Sequence, residues 1–347
     1  MTETNSHQVQ QDPQAHEHNG AWRARGVVLL LIVGLLTAML PNLGEAKPRH
    51  DRDTGGEIVG GLPLPENGFV AAIFVRNDGG GSFFCGGTLI DPRFVLTAAH
   101  CVTDDNGGVF PADRVSVNLG IVDLRAVPQD HRFQVTAVAR HPQFDDRTDA
   151  NDVAVLTLAT PAPAAVAIPV PLIAAGDERY NQPGQLVAVA GWGRTSGAGQ
   201  RSDVLLGTLL SLVSDAACDK TFGDGPGDLQ LCAQGQGTAS CNGDSGGPLL
   251  IGPLAPAAAA NVGTTAEAKA RHRGPSGTHQ RQAVHSARKH HHHQPPPPPP
   301  PPPPPSVITQ IGVVSFGATG CPTDHPEGYA QLSAPGIRGF IAGVVGH

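Results

Sequence analysis

Short apolar stretches separated by turn-forming residues follow one another from Ile58 to the carboxyl end of the chain. They are rich in β-branched side chains and are bounded by Gly, Pro, Asn or Asp. The clearest are Val70–Val75, Val115–Leu119, Val153–Leu158 and Leu186–Ala190. Regularly spaced stretches of this kind predict an all-β sandwich or barrel. Only Ile337–Val345 has the character of a helix.

The amino-terminal region has a different pattern. Arg23 and Arg25 precede fifteen uncharged, mostly apolar residues, 26–40, and the small residues Gly44 and Ala46 follow. A positive flank, a short apolar core and a small-x-small exit are typical of a secretory signal peptide. We therefore expect cleavage after Ala46 and a secreted, extracellular protein.

The alternative is an uncleaved signal anchor, the one route by which we expect the chain to contact a membrane. Residues 1–22 form a polar leader that is long for a signal peptide. The apolar core is nevertheless short, because a transmembrane helix needs about 20 apolar residues. The preferred interpretation is a signal peptide at 1–46, a propeptide at 47–57 and one domain at 58–347.

That domain is interrupted by residues 252–306, which are Ala-rich, then basic, and then contain His290–His293 and the proline run Pro295–Pro305. Polyproline forms an extended helix that cannot join a sheet. We expect a disordered insertion in a loop. A solvated low-complexity tract explains the four histidines better than a metal site does.

Composition narrows the functional classes. The net charge of −7 argues against a general nucleic-acid-binding protein, which would carry a basic surface. An even number of cysteines in an exported chain indicates disulfides, and the lack of a C-x-x-C pair argues against zinc or redox chemistry. The six cysteines are Cys85, Cys101, Cys218, Cys232, Cys241 and Cys321.

Three motifs carry groups suited to nucleophilic catalysis. They are LTAAHC at 96–101, NDVAVL at 151–156 and CNGDSGGP at 241–248. A serine hydroxyl needs a neutral imidazole to take its proton, and a carboxylate to orient that imidazole and stabilise its charge. His100, Asp152 and Ser245 supply these three groups.

Glycines on both sides of Ser245 predict a further element of such a site. Gly243 and Gly246 allow the main chain to turn so that the N–H groups of Gly243 and Ser245 point at one spot. Two such donors would form an oxyanion hole, in which each donor often contributes about 3–4 kcal/mol to transition-state stabilisation.

Together with IVGG at 58–61, these motifs resemble the chymotrypsin/trypsin family of serine endopeptidases. Further matches are CGGTLI at 85–90, GWG at 191–193 and VSFG at 314–317. The resemblance covers residues 58–251 and 307–347. It implies two six-stranded antiparallel β-barrels, an active site between them, a short C-terminal helix and no cofactor. It also implies the disulfides Cys85–Cys101, Cys218–Cys232 and Cys241–Cys321. No metal is expected, because Ile121 stands where the calcium-binding members of the family carry a carboxylate.

The resemblance further implies a zymogen. Cleavage before Ile58 would free an amine that becomes buried against the Asp244 carboxylate, and this pair would order the oxyanion loop. The residue before Ile58 is Glu57 rather than Arg or Lys. We therefore expect an activating protease that cleaves after Glu57, or dipeptide trimming of Gly56–Glu57.

Similarity to the family also assigns the substrate-binding pocket, to Ala239, Ser240, Ser315, Phe316, Gly317, Glu327 and Gly328. Trypsins carry an aspartate where this chain has Ala239, and Glu327 takes a wall position that is usually glycine. Glu327 could offer a displaced anion to a basic side chain, within a broad preference. Alternatively, it could fill the pocket and leave room only for small residues.

These observations predict a secreted serine endopeptidase that acts on protein or peptide substrates. Protein inhibitors are further expected partners. The alternative is a catalytically inactive homologue that acts as a binding protein. Such proteins usually lack a triad member or a glycine of the oxyanion hole, and neither is missing here.

Overall fold

The computed structural model describes residues 58–77, 80–223, 227–253 and 305–346. The predicted signal peptide and propeptide lie outside these residues, as do 254–304 of the insertion, including the histidine tract. The described residues belong to one compact unit. None of the helices within them is long and apolar enough to span a membrane.

A two-residue strand, β1 (Leu62–Pro63), precedes a first barrel of six antiparallel strands. The strands are β2 (Val70–Arg76), β3 (Ser82–Asp91), β4 (Phe94–Thr97), β5 (Val115–Asn118), β6 (Arg132–Arg140) and β7 (Ala154–Leu158). Their order is β2-β3-β4-β7-β6-β5, and β2 pairs with both β3 and β5 to close the barrel. Apolar side chains such as Ile73, Leu96 and Leu156 fill it.

The second barrel repeats this arrangement. Its strands are β8 (Leu186–Gly191), β9 (Leu206–Val213), β10 (Gln230–Gln234), β11 (Pro248–Ile251), β12 (Thr309–Gly317) and β13 (Glu327–Gln331). Antiparallel pairing of β8 with both β9 and β11 closes the ring, and β1 adds to the edge of β9. The predicted two-barrel fold is confirmed.

Two α-helices accompany the barrels within the described residues. The C-terminal helix, α2 (Pro335–Val345), confirms the prediction and begins two residues earlier than expected, with proline in its first turn. The other helix, α1 (Asp215–Phe222), was not predicted. Its signal is the N-cap Ser214, whose side chain accepts a hydrogen bond from the Ala217 N–H.

Contacts between the barrels centre on Trp192, which is fully buried. Its ring belongs to an apolar cluster that includes Val70 and Ala72 of β2 and Leu205 beside β9. The indole N–H donates to the Val122 carbonyl at 3.0 Å. These contacts hold the barrels against each other along the cleft between them.

The root of the predicted insertion lies within the described residues. Ile251 of β11 pairs with Thr309 of β12. Residues 252–306 therefore connect two neighbouring antiparallel strands. A long connection at such a place costs little closure entropy, about 0.6 kcal/mol for each doubling of length, so the barrel tolerates it.

The six cysteines form three disulfides, Cys85–Cys101, Cys218–Cys232 and Cys241–Cys321. These are the pairs that the family resemblance implies. The first joins β3 to the turn after β4, the second joins α1 to β10, and the third joins the segment before Ser245 to the loop after β12. All three therefore brace segments around the cleft.

Candidate active site

His100 and Asp152 meet because β4 and β7 are neighbours. The antiparallel register pairs Thr97 with Ala154, so the turn after β4 faces the residues that precede β7. The His100 ring Nδ1 lies 2.8 Å from the Asp152 Oδ2, and the His100 backbone N–H donates to Oδ1 at 2.9 Å. Both carboxylate oxygens thus fix the position of His100.

Asp152 is also bonded to the second barrel. The Ser315 hydroxyl, on β12, donates to the Asp152 Oδ2 at 2.6 Å. Asp152 is fully buried, which would raise its pKa, but the charge of His100 and the hydrogen bonds from His100 and Ser315 hold the pKa below its ordinary value. The carboxylate therefore stays ionised at neutral pH.

The pKa of His100 responds to the same contacts in the opposite direction. Burial would lower this pKa, but the charge and hydrogen bond of Asp152 raise it above its ordinary value. Asp149 adds a smaller contribution of the same sign. His100 can therefore accept a proton readily while its ring orientation is fixed.

Ser245 lies in a glycine-rich turn that leads into β11. Its carbonyl accepts from the Gly86 N–H at 2.7 Å and contacts the Cys101 Sγ at 3.6 Å. The His100 Nε2 lies 3.7 Å from the same sulfur, so the His100 ring and the Ser245 backbone both contact Cys101. The Ser245 hydroxyl has no hydrogen-bond partner among the described residues, so it is available for reaction.

The turn around Ser245 requires glycine. Gly246 has a φ of +83°, and an added Cβ would collide with the Thr97 hydroxyl and the Gly86 carbonyl. Gly243 has a φ of +102°. Within the described part of the chain, the N–H groups of Gly243 and Ser245 donate to no acceptor. Two unclaimed donors on either side of Asp244 are suited to binding an anion.

Asp244 lies beneath this turn with about 1% of its surface exposed. Its carboxylate accepts from the Gly193 N–H at 2.8 Å and from the Cys241 N–H at 2.9 Å. Burial raises its pKa to about 6, although both hydrogen bonds oppose this shift. No cation pairs with it in the described ranges.

Ile58 is buried next to a residue that pairs with the segment leading to Asp244. Its side chain is fully buried, and the next residue, Val59, accepts a backbone hydrogen bond from Ala239 at 3.1 Å. Ala239 lies five positions before Asp244 in the chain. The contact therefore joins the amino-terminal segment of the domain to the segment that leads to Asp244.

Next to Ser245 lies a cavity of about 320 Å³. Of the residues expected to bind substrate, five line it, namely Ser240, Ser315, Phe316, Gly317 and Glu327. Ala239 and Gly328 do not. The backbone of Ala239 is paired with Val59, and Gly328 lies under the Phe316 ring, which an added Cβ would strike.

Glu327 is held against the cavity wall by three donors. Its carboxylate accepts from the Ser240 N–H and hydroxyl, each at 2.6 Å, and from the Tyr329 hydroxyl at 2.7 Å. Burial raises the pKa of Glu327 to about 7, against the opposing effect of these hydrogen bonds. The cavity thus contains an acid that changes charge near neutral pH.

Comparison with known proteins identifies this arrangement. The family model for trypsin matches residues 58–270. The chain belongs to the trypsin family. A trypsin of Saccharopolyspora erythraea is 35% identical over 202 residues, which are 56% of this chain and 82% of that protein. Granzyme F of Mus musculus is 34% identical over 229 residues, which are 63% of this chain and 83% of that protein. The proclotting enzyme of Tachypleus tridentatus is 32% identical over 226 residues, which are 61% of this chain and 59% of that protein.

One residue near the site of this trypsin-family chain was missed by the sequence analysis. Asp149 lies in the turn before Asp152 with a φ of +52°, and Gln230 holds that turn through hydrogen bonds to the Thr148 and Asp149 carbonyls. Burial, followed by the charge of Asp152, raises the pKa of Asp149 to about 6. Its position three residues before Asp152 in the sequence could have identified it as a residue close to the site.

A group of potential metal ligands also lies at this trypsin-family site. Cys85, Cys101 and His100 place ligand atoms close together. Both sulfurs are joined in a disulfide, however, and neither can act as the thiolate that binds zinc. This group is therefore a brace under His100.

Proposed function

We propose that this trypsin-family serine protease is a secreted endopeptidase, made as a zymogen, that hydrolyses protein or peptide substrates through His100, Asp152 and Ser245. The observation that carries the proposal is the fixed His100–Asp152 pair, whose ring contacts the same Cys101 sulfur as the Ser245 backbone. Among the described residues, the Ser245 hydroxyl and the N–H groups of Gly243 and Ser245 have no partner and support the proposal further. These are the groups that acyl transfer needs, and Ser245 lines a cavity that can receive a side chain.

In the proposed reaction, the Ser245 Oγ attacks the peptide carbonyl carbon while the His100 Nε2 takes the hydroxyl proton. The carbonyl oxygen becomes an oxyanion bound by the N–H groups of Gly243 and Ser245. His100 then gives its proton to the leaving amine as the C–N bond breaks, which leaves an ester on Ser245. A water attacks this ester with His100 again as base. His100 then returns the proton to the Ser245 Oγ as the acyl C–O bond breaks, which releases the acid and regenerates the serine.

Activation is proposed to depend on Asp244. Its buried carboxylate has two backbone donors and no cationic partner within the described residues, which is an incomplete environment for a buried charge. Cleavage after Glu57 would free the Ile58 amine to complete it. The expected partner is a protease that cuts after glutamate, or an exopeptidase that trims Gly56–Glu57. Residues 47–57 are the propeptide in this scheme.

Secretion rests on the sequence pattern of residues 1–46, and an uncleaved anchor at 26–40 is the alternative. The proposed domain runs over 58–347, interrupted by the 252–306 insertion. Protein inhibitors that occupy the same cavity are expected partners. The alternative is a protein that binds such substrates without hydrolysing them.

The peptidase proposal is tested by a peptide-library digest. Thr54→Asp, Gly55→Asp, Gly56→Asp and Glu57→Lys, after the natural Asp53, create an enteropeptidase site in the full chain, and cleavage there begins the product at Ile58. We expect hydrolysis only after cleavage. A correctly cleaved, disulfide-bonded protein that hydrolyses no peptide would favour the binding-protein alternative.

The preference for the residue before the scissile bond is proposed to be basic. Because Ser240 and Tyr329 hold Glu327 against the wall, about 320 Å³ of cavity remains beside its carboxylate. Ionisation of that carboxylate would attract Lys or Arg. A neutral substrate side chain in this cavity would leave the charge of the Glu327 carboxylate without a partner.

This preference should depend on pH. The pKa of Glu327 is raised to about 7, so its carboxyl is mostly neutral below that pH and charged above it. The ratio of kcat/KM for Arg peptides to that for Gln peptides should therefore rise about tenfold as pH increases through this range. The Glu327→Gln variant should show a flat ratio. A pH-independent preference for Ala or Gly would instead indicate that Glu327 fills the pocket.

The acid limb of the activity profile should respond to Asp149. Its negative charge raises the pKa of His100, and catalysis requires the neutral imidazole. The Asp149→Asn variant should therefore move the lower midpoint of kcat/KM toward lower pH, as measured with a neutral peptide. The exposed Asp130→Asn is the matched control. A midpoint that moves upward, or equally in both variants, would contradict this assignment.

A further inference from the structure

Arg201 lies beside the proposed oxyanion hole and takes no part in the proposed acyl transfer. Its guanidinium carbon is 4.2 Å from the centroid of the Phe84 ring and 5.7 Å from that of Phe74. The Arg201 Cδ is 3.9 Å from the position that a Cβ on Gly243 would occupy. A cation stacked on aromatic rings therefore borders the residue that would bind the oxyanion.

The charge of Arg201 is not neutralised by a direct partner. Its guanidinium forms no hydrogen bond or ion pair with any residue that the structure describes. Asp203 acts on it through its charge, but the Asp203 carboxylate lies 3.8 Å from the Arg125 Nε. Burial lowers the pKa of Arg201, yet an arginine stays charged at neutral pH.

A second arginine faces Arg201. Arg194 and Arg201 are partners in an antiparallel bridge, and the Arg194 N–H donates to the Asn242 carbonyl at 2.9 Å, directly before Gly243. Like charges at directly opposed positions destabilise a β-ladder. Fold stability therefore does not explain this pair, whereas an incoming anion would relieve the repulsion.

The position of Arg201 indicates which half of a substrate it would meet. The cavity beside Ser245 is lined by Ser240, Glu327 and the segment 315–317, and by neither Phe84 nor Arg201. A substrate with its acyl-side side chain in that cavity and its carbonyl oxygen at Gly243 would continue past Gly243, which Arg201 borders. The residues after the scissile bond would then lie near Arg201.

We propose that Arg201 is a specificity-determining residue that selects substrates carrying Asp or Glu within two residues after the scissile bond. This inference rests on the proposed endopeptidase function. A carboxylate can accept two parallel N–H bonds from a guanidinium, and stacking on Phe84 holds the guanidinium in place before substrate binds. Selection of this kind adds to whatever preference Glu327 imposes on the other side of the bond.

The test uses the full chain activated at the engineered enteropeptidase site. Quenched fluorescent peptides are identical up to the scissile bond and carry Asp, Gln or Lys at the second position after it. We expect kcat/KM to be about fivefold higher for Asp than for Gln, lowest for Lys, and less different at high salt. Each comparison is a ratio within one enzyme, so a change in total activity cancels.

Substitution assigns the effect to Arg201. The Arg201→Gln variant should bring the Asp-to-Gln ratio close to one, and Arg201→Glu should make the Lys peptide the best substrate. Arg93→Glu, at an exposed position in the turn between β3 and β4, is the matched charge control and should leave the ratio unchanged.

Two failures are distinguishable. Equal rates for the Asp and Gln peptides, or a preference that survives Arg201→Gln, would overturn the role of Arg201 while hydrolysis itself continues. A reporter amide with no residue after the scissile bond is measured alongside. If neither the reporter nor any peptide is hydrolysed, the proposed function is overturned, and this inference with it.

Discussion

Replacing Ser245 with alanine should lower kcat for peptide hydrolysis by about 10⁶-fold and leave the fold intact. The loss is large because the proposed mechanism has no substitute nucleophile. The fold should survive because the Ser245 hydroxyl has no hydrogen-bond partner among the described residues. Its removal should therefore change the free energy of unfolding by less than about 0.5 kcal/mol.

The comparison is made on chains activated at the engineered site. Thermal unfolding and the mass of the new amino terminus show that both proteins are folded and cleaved. Ser116→Ala, on a strand of the first barrel that contributes nothing to the site, is the matched control. Activity in the Ser245→Ala protein within tenfold of the parent would refute the assignment of the nucleophile.

Replacing Asp152 with asparagine should lower kcat by about 10⁴-fold. The Asp152 carboxylate accepts three hydrogen bonds, from the His100 ring, the His100 backbone and the Ser315 hydroxyl. Asparagine keeps one acceptor oxygen and presents an NH₂ group to the remaining donors. The His100 ring would then lose its fixed tautomer and the charge that stabilises its protonated form.

This variant should also be less stable, because a buried donor without an acceptor costs about 1–3 kcal/mol. The measurement is therefore kcat at a temperature below the melting temperature of the variant. Asp123→Asn is the control, because it removes a carboxylate that pairs with Arg125 on the surface. It shows whether the effect comes from losing an acid in general or from losing Asp152. A kcat within tenfold of the parent would mean that Asp152 does not orient His100.

Much of the site could be predicted because its residues lie in continuous motifs. The motifs predict that His100, Asp152 and Ser245 each lie beside an apolar strand, and in the structure β4, β7 and β11 lie next to them. The need for glycine at Gly243 and Gly246 was also visible, since only glycine adopts their positive φ without strain.

Other features depend on contacts that no local pattern contains. The orientation of Glu327 is set by Tyr329, two residues away on the same strand, and by Ser240, which is 87 residues distant in the chain. Because the Ser240 contact is visible in no local pattern, the two possible roles of Glu327 could not be separated in advance. The stacking of Arg201 on Phe84 joins the two barrels and requires their packing.

The helix α1 was missed for a local reason. It is short, and its apolar residues follow no clear 3.6-residue period. The sequence also does not indicate which residue the Phe222 ring contacts. In the structure, the Phe222 ring packs edge-to-face on Phe316, with ring centroids 5.1 Å apart. The helix thereby supports Phe316, which lines the cavity next to Ser245, and the Cys218–Cys232 disulfide joins the helix to β10.

The most direct test of the central claim is covalent labelling of the activated full chain with a fluorophosphonate, followed by mass spectrometry of its peptides. Attack by an activated serine forms an O–P bond and releases fluoride. We expect one label per chain, on Ser245, formed slowly in Asp152→Asn and not at all in Ser245→Ala. A correctly cleaved chain that takes no label, or takes it on another residue, would contradict the account.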